Sequence, residues 1–396
     1  MSPWLHIIGI GEDGLDGLTT SAIDALESAD VIIGGDRHHG LAPHLDAQRI
    51  KWPSPFRTLV DEIGTMSDRK VAVLVTGDPT WFSAGAYLAK KFSEDCEVYP
   101  NVSGFQHAAA RMRWSLADVE TLTIHGRPAE QIVPYFSHGA RLLVLTQDAK
   151  SPELVSKLLV DRGFEESRLT VLGALGGPNE TRIDGQASDW NHDAPDFHIL
   201  AIEVLGSPAA QDFPLIGLPD HAFQHDGQIT KKDIRALTVS ALNPRRGAVL
   251  WDLGAGSGSV GIEFMRMGPD AMTHAVEENA ERVQSIKHNA IQLGTPRLKV
   301  YEGSISQHLG TLPQPDSVFI GGGLTDAIAQ QAIDRLQPLG RLVVNAVTLE
   351  SETILLGLHA RFGGTLTRLQ VSNAVPVGRM KGWKPAMPVT QWVFVK

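Results

Sequence analysis

The sequence predicts an α/β fold that is divided into two domains. Both halves alternate short β-rich runs with helical stretches, a pattern typical of sheets covered by helices. The length of 396 residues suggests two or three domains. A stretch with Gly, Ser and two prolines at 205–214 follows a strongly apolar strand. We therefore expect domains at residues 1–206 and 212–396.

Composition and charge exclude several classes of protein. Apolar residues make up 42% and charged residues 20%, as in ordinary globular proteins. The 35 basic and 45 acidic residues give a net charge of −10, so we expect no nucleic-acid partner. The single cysteine, Cys96, excludes an internal disulfide and a cysteine-rich metal site, and the histidines show no ligand spacing. With no signal-peptide pattern and no apolar run long enough to span a bilayer, we expect a cytoplasmic protein without a membrane or metal partner.

The elements of the first domain follow from its apolar runs. Helices are expected near 20–28, 83–92 and 152–162. Strands are expected at 5–10, 31–34, 71–76, 122–125, 141–146, 169–174 and 198–205.

The second domain repeats the alternation after a helix that begins near Thr230. Its last two strands have no helix between them, so we expect them to pair antiparallel at a sheet edge. The strands are expected at 248–253, 273–276, 298–301, 317–320, 341–346, 365–372 and 389–395.

The first strand runs into a glycine-rich loop. Gly9, Gly11 and Gly14 match the G-x-G-x-x-G pattern of dinucleotide sites. However, Thr19 is a good N-cap and places the helix start near residue 20. The glycines then lie in a long loop rather than at a helix N-terminus, where a pyrophosphate would bind. A nicotinamide dinucleotide site is therefore retained only as an alternative.

A second loop points to a different cofactor. The apolar strand 71–76 ends in Gly77-Asp78-Pro79, and a later segment reads Thr123-Ile124-His125-Gly126-Arg127. Together with the first loop, these motifs resemble the tetrapyrrole methylases over residues 4–205. The resemblance implies a class III S-adenosylmethionine enzyme with a cofactor cleft between two α/β subdomains. It implies cofactor binding by Gly9, Gly11, Gly77, Asp78, Pro79, Ser103 and His125.

One residue departs from that family pattern. The family loop usually has proline where Glu12 stands, so the shape of the loop is left open. A simple turn at Gly77-Asp78-Pro79, without a ligand, is the structural alternative.

The second domain carries a glycine loop of another kind. Its first strand leads into Asp252, and Glu277 ends the second strand, where an acid can accept hydrogen bonds from both ribose hydroxyls. These features resemble the class I S-adenosylmethionine methyltransferases. The glycines lack the G-x-G-x-x-G register, which disfavours NAD, and a ligand-free turn is the other alternative. The resemblance implies cofactor binding by Asp252, Gly254, Ala255, Gly256, Ser257, Gly258, Glu277, Gly303 and Ser304.

The glycines after the fourth strand, Gly321-Gly322-Gly323, stand where many amino-group methyltransferases have Asn/Asp-Pro-Pro-aromatic. This difference argues against an adenine or amide target and leaves room for a bulky planar substrate. A loop that needs positive φ for its own sake is the alternative.

The segment 229–237 resembles the start of the decarboxylating precorrin methyltransferases, in which the helix after Thr230 approaches the cofactor. The resemblance implies cofactor binding by Thr230. The order of the two halves is similar to that of the fused precorrin methyltransferases of cobalamin biosynthesis. This resemblance implies two S-adenosylmethionine sites, C5 methylation by the first domain, and C15 methylation with loss of CO₂ from the ring-C acetate by the second. No catalytic residue is assigned, and His221, His225 and Glu263 remain open as groups that transfer a proton to the ring.

A tetrapyrrole with many carboxylates requires basic contacts in an acidic protein. The run 378–385 places cations beside Trp383 in an expected flexible loop. A solvated surface charge is the alternative for each cation. The predicted substrate-binding residues are Arg127, Arg235, Arg379 and Lys381.

Relatives of both halves form oligomers, so we expect a homo-oligomer. The competing functions are an NAD-dependent oxidoreductase that uses either glycine loop, and a binding protein without catalysis.

Overall fold

The computed structural model describes residues 3–53 and 57–396. The chain divides into two compact units. The first comprises Met1–Arg127 and Tyr135–Gln211, and the second comprises Pro128–Pro134 and Asp212–Lys396. Among the described residues, every helix is too short or too polar to cross a bilayer.

The first unit begins with a parallel five-stranded sheet in the order β3-β2-β4-β1-β5. Strands β1 and β4 are almost continuously apolar because parallel strands are buried on both faces. The N-cap Thr19 accepts a hydrogen bond from the backbone of Ala22, which confirms the predicted helix start. The elements are β1 (Leu5–Ile10), α1 (Thr20–Glu27), β2 (Val31–Gly34), α2 (Asp36–Leu41), β3 (Gln48–Lys51), α3 (Arg57–Ile63), β4 (Val71–Thr76), α4 (Ala84–Phe92), β5 (Cys96–Tyr99) and α5 (Gly104–Met112).

The first unit continues with a second five-stranded sheet, of mixed direction, in the order β6-β7-β10-β8-β9. Only β6 and β7 run parallel, and the other neighbours are antiparallel. Two α/β subdomains in one unit agree with the predicted fold. The elements are β6 (Glu120–Thr123), β7 (Arg141–Leu145), α6 (Ser151–Val160), β8 (Arg168–Gly173), β9 (Thr181–Gln186) and β10 (His198–Glu203).

The second unit is built on a seven-stranded sheet in the order β13-β12-β11-β14-β15-β19-β16. The first five strands in this order are parallel, and β19 runs antiparallel to both of its neighbours. The predicted class I architecture is confirmed. The elements are α7 (Lys232–Leu242), β11 (Val249–Leu253), α8 (Ser259–Met267), β12 (Met272–Glu277), α9 (Ala280–Gln292), β13 (Lys299–Glu302), α10 (Ile305–His308), β14 (Ser317–Ile320), α11 (Asp326–Arg335), β15 (Arg341–Ala346), α12 (Leu349–Phe362), β16 (Thr365–Leu369) and β19 (Val389–Val395).

Two details of the second unit correct the sequence predictions. The antiparallel pairing of β16 with β19 is confirmed. Of these two strands, however, only β16 lies at an edge of the sheet, because β19 lies between β15 and β16. The run 378–385 is not a flexible loop, because β17 (Ser372–Val377) and β18 (Met380–Pro385) form an antiparallel hairpin. Arg379 lies in its turn and Lys381 within its second strand.

Candidate functional site

The first unit contains a cavity of about 530 Å³. It opens beside the carboxyl ends of β1 and β4 and is also lined by residues of the second sheet. The structure brings five predicted cofactor residues together in its lining, namely Gly11, Gly77, Asp78, Ser103 and His125.

Gly9 and Pro79 support this cavity without lining it. A Cβ atom on Gly9 would lie 2.0 Å from the carbonyl oxygen of Gly77, so glycine allows two backbone segments to touch. Gly77 itself has a φ of +61°, which the turn after β4 requires. The Asp78 carboxylate accepts hydrogen bonds from the backbone and hydroxyl of Thr80, at 2.7 and 2.6 Å, and fixes that turn.

The remaining two predicted residues in the lining, Ser103 and His125, lie in the segments that follow β5 and β6. Ser103 is the N-cap of α5, and its backbone N–H donates to the side chain of Gln106 over 2.8 Å. His125 follows β6, and its Nδ1 lies 3.3 Å from the carbonyl oxygen of Thr146. Both residues therefore lie where loops leave the sheets, as binding residues in α/β folds usually do.

Aromatic side chains form a part of this lining that the sequence analysis missed. Trp81 and Phe82 both pack against Phe105, and their ring centroids lie 5.3 and 6.0 Å from that of Phe105. The guanidinium of Arg37 lies over the ring of Phe197, 4.1 Å from its centroid. Phe82 has a φ of +51° although it is not glycine. Such backbone strain persists where the surrounding structure enforces it, often at functional sites. No sequence pattern reveals a positive φ at phenylalanine.

Glu12, the residue that departs from the family pattern, forms an ion pair with Arg37 at the cavity. Arg37 also donates to the hydroxyl of Thr76, and His38 Nε2 lies 2.9 Å from the same hydroxyl. Burial, with a smaller contribution from the neighbouring Arg37 charge, lowers the pKa of His38 to about 4. His38 is therefore a neutral ring at neutral pH.

The second unit contains a larger cavity of about 990 Å³. The predicted residues in its lining are Thr230, Gly254, Ala255, Gly256 and Ser257. Three other predicted residues lie at the same sheet edge without lining the cavity, because one ends β12 and the other two follow β13. They are Glu277, Gly303 and Ser304.

The glycine loop is shaped by three positive φ angles, +69°, +59° and +74° at Gly254, Gly256 and Gly258. A Cβ on Gly254 would lie 2.7 Å from the carbonyl oxygen of Gly322, and one on Gly258 would lie 2.9 Å from Ile286. A Cβ on Gly256 would meet only the carbonyl oxygen of Gln228, at 3.6 Å. Two of these glycines thus permit close packing, and Gly256 keeps the cavity open.

Glu277 connects the loops at this edge. Its carboxylate accepts hydrogen bonds from the backbone of Gly256 at 2.7 Å and of Asn279 at 3.0 Å. Its backbone oxygen accepts from Gly303 at 3.0 Å. Ser304 caps α10. An acid at the end of the second strand, beside an open glycine loop, fits the ribose hydroxyls of an adenosyl cofactor.

Asp252 lies beneath the loop and is fully buried. Its Oδ2 accepts a hydrogen bond from the backbone of Gly261 at 3.0 Å, whereas Oδ1 has no partner among the described residues. Burial raises its pKa to about 7, and the nearby Glu277 charge contributes. Asp252 therefore supports the loop from inside and does not line the cavity.

The structure contradicts substrate binding by Arg235. Its side chain is fully buried, and it donates to the Glu263 carboxylate at 2.6 Å and to Asp220 at 3.1 Å. It also donates to the carbonyl oxygens of Leu218 and of Thr230. A guanidinium engaged in this way holds the loops around the cavity and cannot reach a substrate carboxylate.

Glu263 is likewise excluded as a group that transfers a proton to the ring. It is fully buried and accepts from Arg235 and from the backbone N–H groups of Gly217 and Leu218, at 2.8 and 2.9 Å. Of the two histidine candidates, His221 lines the cavity and His225 does not.

The other predicted substrate contacts lie outside both linings. Arg127 is not part of the first cavity, and Arg379 and Lys381 are exposed on the hairpin. Cations that do line the second cavity are Lys231, Lys232 and Arg282. The described residues contain no group of three or more His, Cys, Asp or Glu that could hold a metal ion.

Comparisons with known proteins agree with this organisation. The model of the tetrapyrrole (corrin/porphyrin) methylases matches residues 4–190, and that of the precorrin methyltransferase domain matches residues 221–396. The precorrin-6Y C(5,15)-methyltransferase [decarboxylating] of Sinorhizobium sp is 45% identical over 100% of this chain and 97% of its own length. The protein of the same name from Mycobacterium tuberculosis H37Rv is 36% identical over 98% of this chain and 99% of its own length.

A solved structure is also similar. The crystal structure of the C-terminal domain of precorrin-6Y C5,15-methyltransferase from Rhodobacter capsulatus is 45% identical, covers 46% of this chain and 100% of that chain, and has a TM-score of 0.44.

The fold and its glycine loops define an S-adenosylmethionine-dependent methyltransferase with a tetrapyrrole methylase unit and a class I unit. The full-length relatives narrow this class. The chain belongs to the precorrin-6Y C(5,15)-methyltransferase (decarboxylating) family.

We predict that Arg235→Ala lowers the free energy of unfolding of the full chain by about 3–5 kcal/mol, because it leaves the buried Glu263 carboxylate unpaired. The matched control is Arg246→Ala, which breaks an exposed ion pair with Asp270 and should cost at most about 1 kcal/mol. Urea unfolding measures both. Unchanged stability of Arg235→Ala together with a raised KM for the tetrapyrrole would restore the direct-contact interpretation.

We predict that Asp252→Asn stabilises the protein at pH 7 more than at pH 4. Folding raises the pKa of Asp252 from its ordinary value of 3.8 to about 7, so the folded state binds the additional proton between these pH values. This contribution to stability is complete at low pH and is lost as the pH rises toward 7. Calorimetric melting temperatures of the two proteins should diverge across this window, and parallel curves would show that the carboxyl is not protonated.

Proposed function

We propose that this chain methylates a precorrin macrocycle at C5 and C15 and removes the ring-C (C12) acetate carboxyl as CO₂. Residues 1–206 would perform the C5 step, and residues 212–396 the C15 step with decarboxylation, to give precorrin-8X from precorrin-6B. The observation that carries the proposal is the presence of two cavities, one in each unit, each beside its own glycine loop. The names of the full-length relatives support the same pair of reactions.

We infer one S-adenosylmethionine site in each cavity. In the first unit, the site would be formed by the turn at Gly77 and Asp78 with Gly11, Ser103 and His125. In the second, it would be formed by the loop at Gly254–Gly258 with Thr230 and Glu277. S-adenosylmethionine supplies a sulfonium methyl group, which is already a strong electrophile. The residues of each cavity therefore mainly align a macrocycle carbon with it and exclude water.

The aromatic lining of the first cavity suits a flat, conjugated ring. Trp81, Phe82 and Phe197 offer ring faces for stacking. In the second cavity, Lys231, Lys232 and Arg282 are the cations for substrate carboxylates, and Lys231 and Arg282 also lie 3.8 and 2.7 Å from the carboxylates of Asp220 and Asp226. Arg127, Arg379 and Lys381 lie outside the two cavity linings, and we propose that they bind substrate carboxylates that extend beyond them. The comparisons give no support to a nicotinamide cofactor.

We also propose that the chain self-associates in the cytoplasm. The β17–β18 hairpin exposes apolar side chains, among them Met380 and Trp383, which are 77% and 78% exposed. Exposed apolar surface of this kind marks contacts between proteins, and a second copy of the chain presents the same hairpin. Light scattering should give a mass above the 42.8 kDa of one chain.

We predict that variants of the two sites separate the two methylations. Asp78→Ala removes the bonds that fix the first turn and should slow C5 methylation about 10–100-fold, with C15 methylation and CO₂ release intact. Glu277→Ala should weaken cofactor binding in the second unit about 10–100-fold and spare the C5 step. Mass spectrometry of the products counts the methyl groups.

Titration with S-adenosylhomocysteine provides the control for these variants. The unaltered protein should bind two molecules per chain, and each variant should retain one tight site. Loss of both methylations in either variant, or one site in the unaltered protein, would contradict the division of labour proposed here.

A further inference from the structure

Asn345 lies at the carboxyl end of β15 and lines the cavity of the second unit. None of the sequence motifs discussed above includes it. Its side-chain amide is held by Thr238 and Gln391, of which Thr238 is fully buried and Gln391 is 5% exposed. A polar group fixed by buried partners and directed at a cavity is preorganised for a ligand.

The hydroxyl of Thr238 determines which way the amide faces. It donates to the carbonyl oxygen of Ile234 at 2.8 Å, and a carbonyl can only accept. The Thr238 oxygen is therefore an acceptor for its other neighbours. It accepts from Asn345 Nδ2 at 2.8 Å and from Gln391 Nε2 at 3.2 Å.

Gln391 fixes the position of the Asn345 side-chain oxygen. Its Nε2 also donates to Asn345 Oδ1 at 3.0 Å. An asparagine amide has two N–H donors and two acceptor positions. Thr238 and Gln391 use one of each, which leaves Asn345 with one N–H and one lone pair for a molecule in the cavity.

The charge of the cavity lining differs between its two parts. The charged groups are the cations Lys231, Lys232 and Arg282 and the acids Asp220 and Asp233, and all of them come from residues 219–282. Residues 319–389 contribute two asparagines, glycines and apolar side chains, with no charged side chain among the described lining residues. We call this second part the uncharged lining. Asn345 belongs to it.

A carboxylate that leaves as CO₂ needs such surroundings. Its charge is localised at the start and moves into the conjugated ring as the carbon–carbon bond breaks. A cation beside the carboxylate would stabilise the starting state and oppose this movement. A neutral N–H can instead fix the torsion of the acetate arm, so that the breaking bond is parallel to the π orbitals of the ring, with little stabilisation of the charge.

We propose that the Asn345 N–H binds and orients the acetate carboxylate that is lost, within the uncharged lining. The inference rests on the proposed function. In this step, the bond between the acetate CH₂ and its carboxylate breaks and CO₂ leaves. The electron pair enters the macrocycle and neutralises the positive charge that methyl transfer has placed there. A proton shift within the macrocycle then converts the exocyclic CH₂ into a methyl group.

The test is the amount of CO₂ released per methyl group transferred at C15, measured with the full chain, carboxyl-labelled precorrin and labelled S-adenosylmethionine. We expect Asn345→Ala to lower this ratio about tenfold, because the acetate arm is no longer held in the torsion that cleavage requires. Asn345→Lys should lower it as well, because a cation holds the carboxylate. The matched control is Asn191→Ala, an exposed asparagine in the first unit, which should leave the ratio unchanged.

Gln391→Leu tests the orientation separately, since it leaves Asn345 in place without one of its two supports. We expect a smaller fall in the ratio and unchanged affinity for S-adenosylhomocysteine. This variant also decides the question if Asn345→Ala does not fold.

An unchanged ratio, or a proportional loss of methyl transfer and CO₂ release, would overturn the role of Asn345 and leave the proposed function standing. Absence of both activities in the unaltered protein would overturn the proposed function itself.

Discussion

The buried ion pair between Arg235 and Glu263 determines the shape of the second site. Both side chains are fully buried, so neither charge is solvated and each depends on the other. The guanidinium reaches the backbone of Leu218 and Thr230, and the carboxylate reaches Gly217 and Leu218. One interaction thus joins helices α7 and α8 to the segment that lines the cavity. Arg235, which the sequence suggested as a substrate contact, instead holds the backbone of the segment that lines the cavity.

Both units solve the same packing problem with glycine. A Cβ on Gly9 would lie 2.0 Å from the oxygen of Gly77, and one on Gly254 would lie 2.7 Å from that of Gly322. In each case the ends of neighbouring parallel strands approach until backbone touches backbone, since β1 pairs with β4 and β11 pairs with β14. Loops from adjacent strands can then border one cavity. The two units share this constraint although their sheets have different strand orders.

The sequence was sufficient where a local pattern and a fold requirement coincide. Buried parallel strands such as β1 and β4 are apolar throughout, and glycine loops at their ends need positive φ, so both were predictable. Strands β3, β5 and β9 were missed because they are short or lie at sheet edges and carry exposed polar residues. Arg235 was predicted to bind substrate because the sequence does not show whether a cation in a helix faces a cavity or a buried carboxylate such as Glu263. The Asn345 amide depends on residues 107 and 46 positions away, which no local pattern connects.

Under the proposed function, the uneven charge of the second cavity would let one site serve two steps with opposite electrostatic needs. Lys231, Lys232 and Arg282 would bind the substrate carboxylates that persist through the reaction, because such contacts are equally favourable in the ground state and the transition state. The carboxylate that leaves must lose its charge to the ring, so any cation beside it raises the barrier. The cations of the lining come from residues 219–282, whereas residues 319–389 contribute none, so the proposed site could meet both conditions. In the proposed mechanism, methyl transfer makes the ring an electron acceptor while the acetate is held for cleavage, which would couple the two steps.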